Sequence, residues 1–260
     1  MEEKKFNKVY LVVILLLTAF MIYYAVMLSM APGKKMSELN SEFGQKPPEK
    51  GEFNENVFKD STYLSLLKEK SFLQSRATLA ETDSIYLTIN LKDSITRLEI
   101  SGVTVHAARI GSYDMSGILE KGDRNIIYNL LSTPLEIATF TATIQKEPVM
   151  VKIAPKDTSE YQPDIIPDTS INEPVNYKLE LTNGMRIYVY QVEEEKKSDR
   201  KSIFRFDLRE RLGDTWISLK SVAHFRIPEY HPYIKIRIPR DDSKIIFRAI
   251  PRKGQIAVYT

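Results

Sequence analysis

The chain has 260 residues, with 37 Lys+Arg against 34 Asp+Glu, a net charge of +3 and no cysteine. That near balance is unlike a dedicated nucleic-acid binder, whose basic residues stand in clustered excess. Disulfides, thiolate metal sites and thiol nucleophiles are excluded, and three histidines without an HExxH helix or a D-x-D-x-D loop give no sign of a metal or other cofactor.

After a short tail, residues 1–8, the stretch "VYLVVILLLTAFMIYYAVMLSMA" (9–31) carries no charged side chain. About 20 such residues cross the hydrocarbon core as a helix, and Tyr10, Tyr23 and Tyr24 are of the kind that sits at headgroup level. A cleaved signal peptide ending at the small residues Ser29 to Ala31 is the competing reading. The length of the apolar run and the two glutamates before it favour an uncleaved, single-pass anchor. Lysines flank the span on both sides, so charge hardly sets its orientation. A short N-terminal side and a large C-terminal domain favour a domain carried across the membrane.

Residues 32–56 are polar and broken by Gly and Pro, which reads as a linker. Residues 57–82 read as an amphipathic helix capped by Asp60 or Ser61, with Leu66, Leu73, Ala77 and Ala80 on its packing side. That face suits a dimer seam or, better, the helix's own domain, because too few heptads are present for a coiled coil.

From residue 83 to 260 the period becomes that of strands. Ile85, Leu87, Ile89 and Leu91 alternate with polar or amphipathic residues, giving a half-buried strand and then an antiparallel meander through turns at "LKDS" and Ser101-Gly102. His106 lies in the third strand, where a lone histidine reads as structural. "TFTATIQ" and "PVMVKIAP" suggest a further pair, and an insertion around 155–175 reads as an exposed crossing loop. "VNYKLELTNGMRIYVYQV" is a hairpin in which Asn183-Gly184 suits a type I′ turn. "EEEKKSDRK" reads as a solvated hairpin tip, and "SIFRFDL" as a return to the sheet. Isolated carboxylates such as Asp114 and Asp207 are candidates to meet in space.

The C-terminal stretch "YIKIRIPRDDSKIIFRAIPRKGQIAVYT" reads as strand, capped helix, strand. Ile234, Ile236 and Ile238 take one strand face and Tyr233, Lys235 and Arg237 the other. Pro239 ends the strand, Asp241 or Asp242 caps a helix bearing Ile245, Ile246 and Ala249, and Pro251 with Gly254 stops it. The fold class is therefore mainly β with a few helices (α+β), preceded by one transmembrane helix.

The run Ile236, Arg237, Ile238, Pro239, Arg240, Asp241, Asp242 resembles the end of the His-Gly-Cys-Ile-Arg motif of L,D-transpeptidase (YkuD-like) catalytic domains. The following helix, "IP…G" turn and strand resemble that family's terminus, and "DSIYLTINLKDSITRLEISGVTVHAARI" resembles its opening strands. The resemblance implies a β-rich domain of that type over residues 83–260. It also implies loss of chemistry, because Lys235 stands at the nucleophile's place, Tyr233 at the histidine's and Ile234 at the glycine's. His231 and His224 lie upstream but do not occupy the motif position. What the resemblance implies is a non-catalytic envelope protein binding peptidoglycan stem peptides or a wall-synthesis partner, with Arg237 and His231 as ligand-binding candidates. The alternative is a scaffold component docking other membrane or envelope proteins. No metal, cofactor or nucleic acid is expected in either case.

Overall fold

The computed structural model describes residues 8–44, 61–146, 174–192 and 197–260. Among them six helices and nine strands alternate in an α+β fold. The second strand expected at "PVMVKIAP", the crossing loop around 155–175 and the later part of the linker lie outside the described residues.

One mixed sheet runs in the order β3-β2-β1-β9-β5-β6-β7-β8-β4. Its members are β1 (Tyr86–Asn90), β2 (Ile95–Ile100), β3 (Val103–Arg109), β4 (Ser112–Met115), β5 (Leu135–Ala142), β6 (Asn176–Leu181), β7 (Arg186–Gln191), β8 (Tyr233–Ile238) and β9 (Gln255–Tyr259). The two halves meet at β5, which pairs with β9 through Leu135 and Glu136 and with β6 from Ile137 to Ala142, with a register shift between Ile137 and Thr139. The inner faces of both halves share one core. Leu87, Ile89, Leu98, Ile256 and Val258 enter it from one half, Leu179, Ile187, Val189, Ile234, Ile236 and Ile238 from the other. β1 also pairs in parallel with β9, and β7 with β8, so the meander expected at the start belongs to a mixed sheet.

Helices cover the outer faces. α2 (Ser61–Ala80) packs Phe72 and Leu79 onto Tyr86 and Ala257. Every residue of β1 is consequently buried, where sequence alternation alone implied a half-buried strand. The packing side of α2 is also not the expected one. Ser71, Phe72, Ser75 and Leu79 are buried, whereas Leu66 and Leu73 are exposed and Ala77 with them. Small serines on the buried side let the helix lie close to the sheet, and that closeness does not register as hydrophobicity.

The β6–β7 hairpin does not take the expected turn type. In the β6–β7 connection only Gly184 has positive φ, at 79°. The Gly184 N–H donates to the Leu181 carbonyl at 2.9 Å and the Leu181 N–H to the Met185 carbonyl at 2.8 Å. This is a three-residue loop ending in a bulge at glycine, rather than the two-residue type I′ turn. Ser101 and Gly102 both have positive φ, 47° and 80°, so the I′-like turn joins β2 to β3.

Two segments expected as irregular or extended are helical. α1 (Lys8–Phe43) continues through Pro32, so residues 32–43 are not linker. A proline inside a helix costs about 3 kcal/mol. Here Leu39 is buried with Ile118, Ile126 and Leu130, and Met36, Phe43 and Tyr230 pack against them, which offsets the cost. α5 (Lys197–Ala223) takes up both "SIFRFDL" and the end of the supposed hairpin tip. Two short helices without a counterpart in the sequence reading, α3 (Gly117–Lys121) and α4 (Arg124–Leu131), complete the contact with α1.

The C-terminal unit forms as expected, with α6 (Arg240–Ala249) between β8 and β9. Pro239 is its N-cap and makes no side-chain cap bond, while Asp241 and Asp242 lie in the first turn, where a negative charge favours the helix dipole. Asp242 instead bonds His106 Nε2 at 2.9 Å, which ties β3 to α6 and gives that histidine the structural role expected of it.

Candidate functional site

The three candidates of β8, Tyr233, Lys235 and Arg237, lie on its outer face, which α5 partly covers. Strand register builds three rows across that face. Glu180, Arg186 and Tyr233 form one, Lys178, Tyr188, Lys235 and Asp114 the next, and Asn176, Tyr190, Arg237 and Ser112 the third. With isoleucines on the inner face of β8 and a tyrosine and two cations on the outer, the alternation "YIKIRI" puts every polar group toward α5.

α5 meets this face with carboxylates. Arg240 donates to Asp199 at 2.6 Å, and Tyr190 Oη donates to Asp207 at 2.7 Å. Lys178, almost fully buried, pairs with Glu210, and one Arg186 nitrogen donates to both oxygens of Asp214 at 2.8 Å. The four acids recur down one side of the helix, so each turn or two is clamped to the sheet by a charge-assisted bond. Burial pulls the Arg186 pKa down, but the hydrogen bonds and charge of Asp214 push it up by more.

A groove is left between helix and sheet, in two compartments that share Tyr190, Asp207 and Lys235. The Tyr190–Asp207 bond forms the bar between them. The first compartment, about 250 Å³, reaches from Arg186 and Tyr188 to His231 and Tyr233. The second, about 260 Å³, holds Asp114 and Arg237. Asp114 and Asp207 thus line one compartment, as their isolation in sequence left open.

All four candidates therefore gather at one site. Lys235 lies 4.7 Å from the Tyr233 ring centre and 6.0 Å from that of Tyr188. Neither Lys235 nor Arg237 makes an ion pair among the described residues, unlike Lys178, Arg186 and Arg240. His231 sits at the rim, its Nδ1 2.9 Å from the Gly184 carbonyl. Because Nδ1 must donate there, the neutral ring keeps its acceptor lone pair on Nε2. The position expected as an exposed strand face is partly covered, because α5 was not legible as a helix.

Burial raises the pKa of Tyr188 and Tyr190. Burial and then the charge of Asp114 do the same for Tyr233. The three phenols stay neutral donors at neutral pH. Together with two cations free of carboxylate partners, they suit recognition of an anion held against aromatic walls. Among the described residues no group of three or more His, Asp or Glu side chains is gathered to hold a metal.

Sequence reasoning missed Arg186, Tyr188, Tyr190 and the carboxylates of α5. The signal for the β7 residues was present, since the same alternation that exposes Tyr233 and Lys235 exposes Arg186, Tyr188 and Tyr190 one strand away. No family model matches the chain, and no curated protein or solved structure matches it either, so the resemblance to L,D-transpeptidases rests on Ile236 to Asp242 and on the strands at the two ends of the domain.

Proposed function

We propose that the chain is a membrane-anchored, non-catalytic binding protein of the cell envelope, whose groove beneath α5 holds a carboxylate-bearing peptide. One observation carries this reading: Lys235 and Arg237 are adjacent on one strand face and line the groove, and among the described residues neither has an ion pair, while the neighbouring sheet cations Lys178 and Arg186 are matched to Glu210 and Asp214 of α5. A carboxylate reaching between them gains two charge-assisted bonds, and Tyr188, Tyr190 and Tyr233 supply flat walls for the peptide beside it. The resemblance to L,D-transpeptidases suggests the stem peptides of peptidoglycan as the ligand, and the long apolar helix suggests the setting. Lys235 stands opposite Asp114 of β4, but among the described residues no imidazole or carboxylate bonds it in the way a Cys/His pair is joined, so binding rather than bond cleavage is the proposed activity.

The test is co-sedimentation of the full chain, solubilised in mild detergent, with purified peptidoglycan sacculi beside an unrelated envelope protein. Lys235→Ala and Arg237→Ala are each expected to weaken binding about tenfold, the equivalent of about 1.4 kcal/mol. Binding no better than the control, or binding indifferent to both substitutions, overturns the proposal.

A further inference from the structure

The same helix that closes the groove turns an unusual face outward. Its acids all point to the sheet, so the charges left on the exposed side are cations: Lys201, Arg205, Arg209 and Lys220. Between them Phe204, Leu208, Leu212 and Trp216 recur every fourth residue and are exposed, Trp216 to 70 %. Spacing of four keeps them on one side of a helix. An exposed stripe of Phe, Leu and Trp flanked only by Lys and Arg is the pattern of a helix lying in the headgroup region of an anionic bilayer.

The order of contacts along α1 says which way this face looks. Tyr23, well inside the apolar span, lies with its ring centre 6.0 Å from that of Phe225, two residues past the end of α5. Phe225 is 81 % exposed and is held at a φ of 57°, a strained value for a bulky residue. Next, Lys34 and Glu38 share a hollow with Ser221, Phe225 and Arg226. Lys35 then donates to the Asn183 carbonyl of the β6–β7 loop at 3.3 Å. Last come Leu39, packed with α3 and α4, and the Phe43 carbonyl, which accepts from Asn129 at 3.1 Å. As α1 leaves its apolar stretch it therefore meets α5 first, the sheet second and α4 last. With α1 across a bilayer, the C-terminal end of α5 is the part of the domain that lies next to the span, and the face of α5 turned away from the sheet is the one open to a surface.

We infer that α5 is a second membrane contact, its Phe204–Trp216 stripe seated at the surface of the bilayer that α1 spans and its outward cations on anionic lipid headgroups. The inference rests on α1 crossing the membrane and is independent of what the groove binds. The only tryptophan in the chain is on this stripe, so intrinsic emission reports on it alone. The full chain is reconstituted into vesicles of phosphatidylcholine with and without phosphatidylglycerol, and into matching vesicles with acyl-brominated lipid. With the anionic lipid, Trp216 emission is expected at shorter wavelength, quenched by brominated chains and shielded from iodide. Phosphatidylcholine alone, high salt, or the pair Arg205→Glu and Arg209→Glu should each reverse this severalfold, with circular dichroism checking that the variant is folded. The lipid and salt comparisons on the unaltered chain stand without the variant. Water-like emission in every vesicle overturns the inference. So does a blue shift that ignores lipid charge and grows with protein density, because a second copy would then cover the stripe. Flotation at alkaline pH is read separately: a chain that fails to float loses its anchor, whereas a floated chain with water-like Trp216 overturns the α5 contact alone.

Discussion

Glu99 is fully buried on β2, and its charge is met by Arg76 of α2, with Nε 2.8 Å from the carboxylate. The hydrogen bond to Glu99 raises the Arg76 pKa, so the guanidinium stays charged. Arg76→Ala leaves a carboxylate with no cation in a dry site. The cost is expected to be about 3 kcal/mol, read as a fall in the urea midpoint without a change in slope. A second, half-buried ion gives a pH signature. Lys146 donates to the Phe247 carbonyl at 2.9 Å and lies about 5 Å from the Phe140 and Phe247 rings. Burial, with Arg252 nearby, pushes its ammonium from 10.5 down to about 8. Between those two values the unfolded chain holds a proton that the folded chain has released, so stability rises with pH across that window. The penalty is complete below about 8 and gone above 10.5. Urea melts at several pH values, for the natural chain and for Lys146→Met, isolate the effect as the difference between them. A difference that stays flat from pH 8 upward would show that Lys146 is not depressed.

At the scale of elements, the strongest test concerns α5. Its inward polar bonds are ion pairs to Lys178, Arg186 and Arg240 and a hydrogen bond from Tyr190, whereas the sheet is held by an apolar core. Asp207→Asn with Asp214→Asn is expected to release the helix and leave the sheet folded. Hydrogen exchange should then lose protection over 197–223 while β1 and β9 keep theirs. Equal loss in both regions would mean that helix and sheet unfold as one unit. The same inversion explains what the sequence concealed. Strands β1, β6, β7 and β8 were legible because their inner residues are isoleucines, leucines and valines, with Tyr177 in β6, in strict alternation, and so was the β8–α6–β9 unit, bounded by Pro239, Pro251 and Gly254. α5 was not legible because its inward residues include Asp199, Asp207, Glu210 and Asp214, and of its apolar residues Phe206 and Val222 are buried while Phe204, Leu208, Leu212 and Trp216 point out, so no inward apolar stripe marks it as packed on a domain. α2 was legible as a helix but turned the wrong way, because Ser71 and Ser75 are buried and Leu66 and Leu73 are not. α4 was within reach: Asp123 accepts from the Asn125 N–H at 2.9 Å, and Ile126, Ile127, Leu130 and Leu131 are spaced for one buried side. In the candidate site, the alternation of β8 placed Tyr233, Lys235 and Arg237 on one face, but the wall opposite them comes from the hidden helix.

For the whole molecule the question is whether the domain swings on a tether or stands on a fixed stalk. The Pro32-Gly33 pair reads as the end of a helix, yet α1 runs eleven residues beyond Pro32, to Phe43. Three kinds of contact hold that extension: Leu39 among Ile118, Ile126 and Leu130, Lys35 on the Asn183 carbonyl, and the Phe43 carbonyl on Asn129. If these contacts fix the domain, the groove keeps one height above the bilayer and α5 is carried to its surface. Lys34 and Lys35 offer a direct readout, because trypsin cleaves after lysine only where the backbone can open. In vesicles the natural chain should resist cleavage at both. Leu39→Asp puts a charge among Ile118, Ile126 and Leu130, undocks the stalk, and should speed cleavage there by an order of magnitude or more while the domain stays intact. Rapid cleavage of the natural chain at Lys34 and Lys35 would instead describe a loose tether, and would remove the rigid link between span and domain on which the placement of α5 depends.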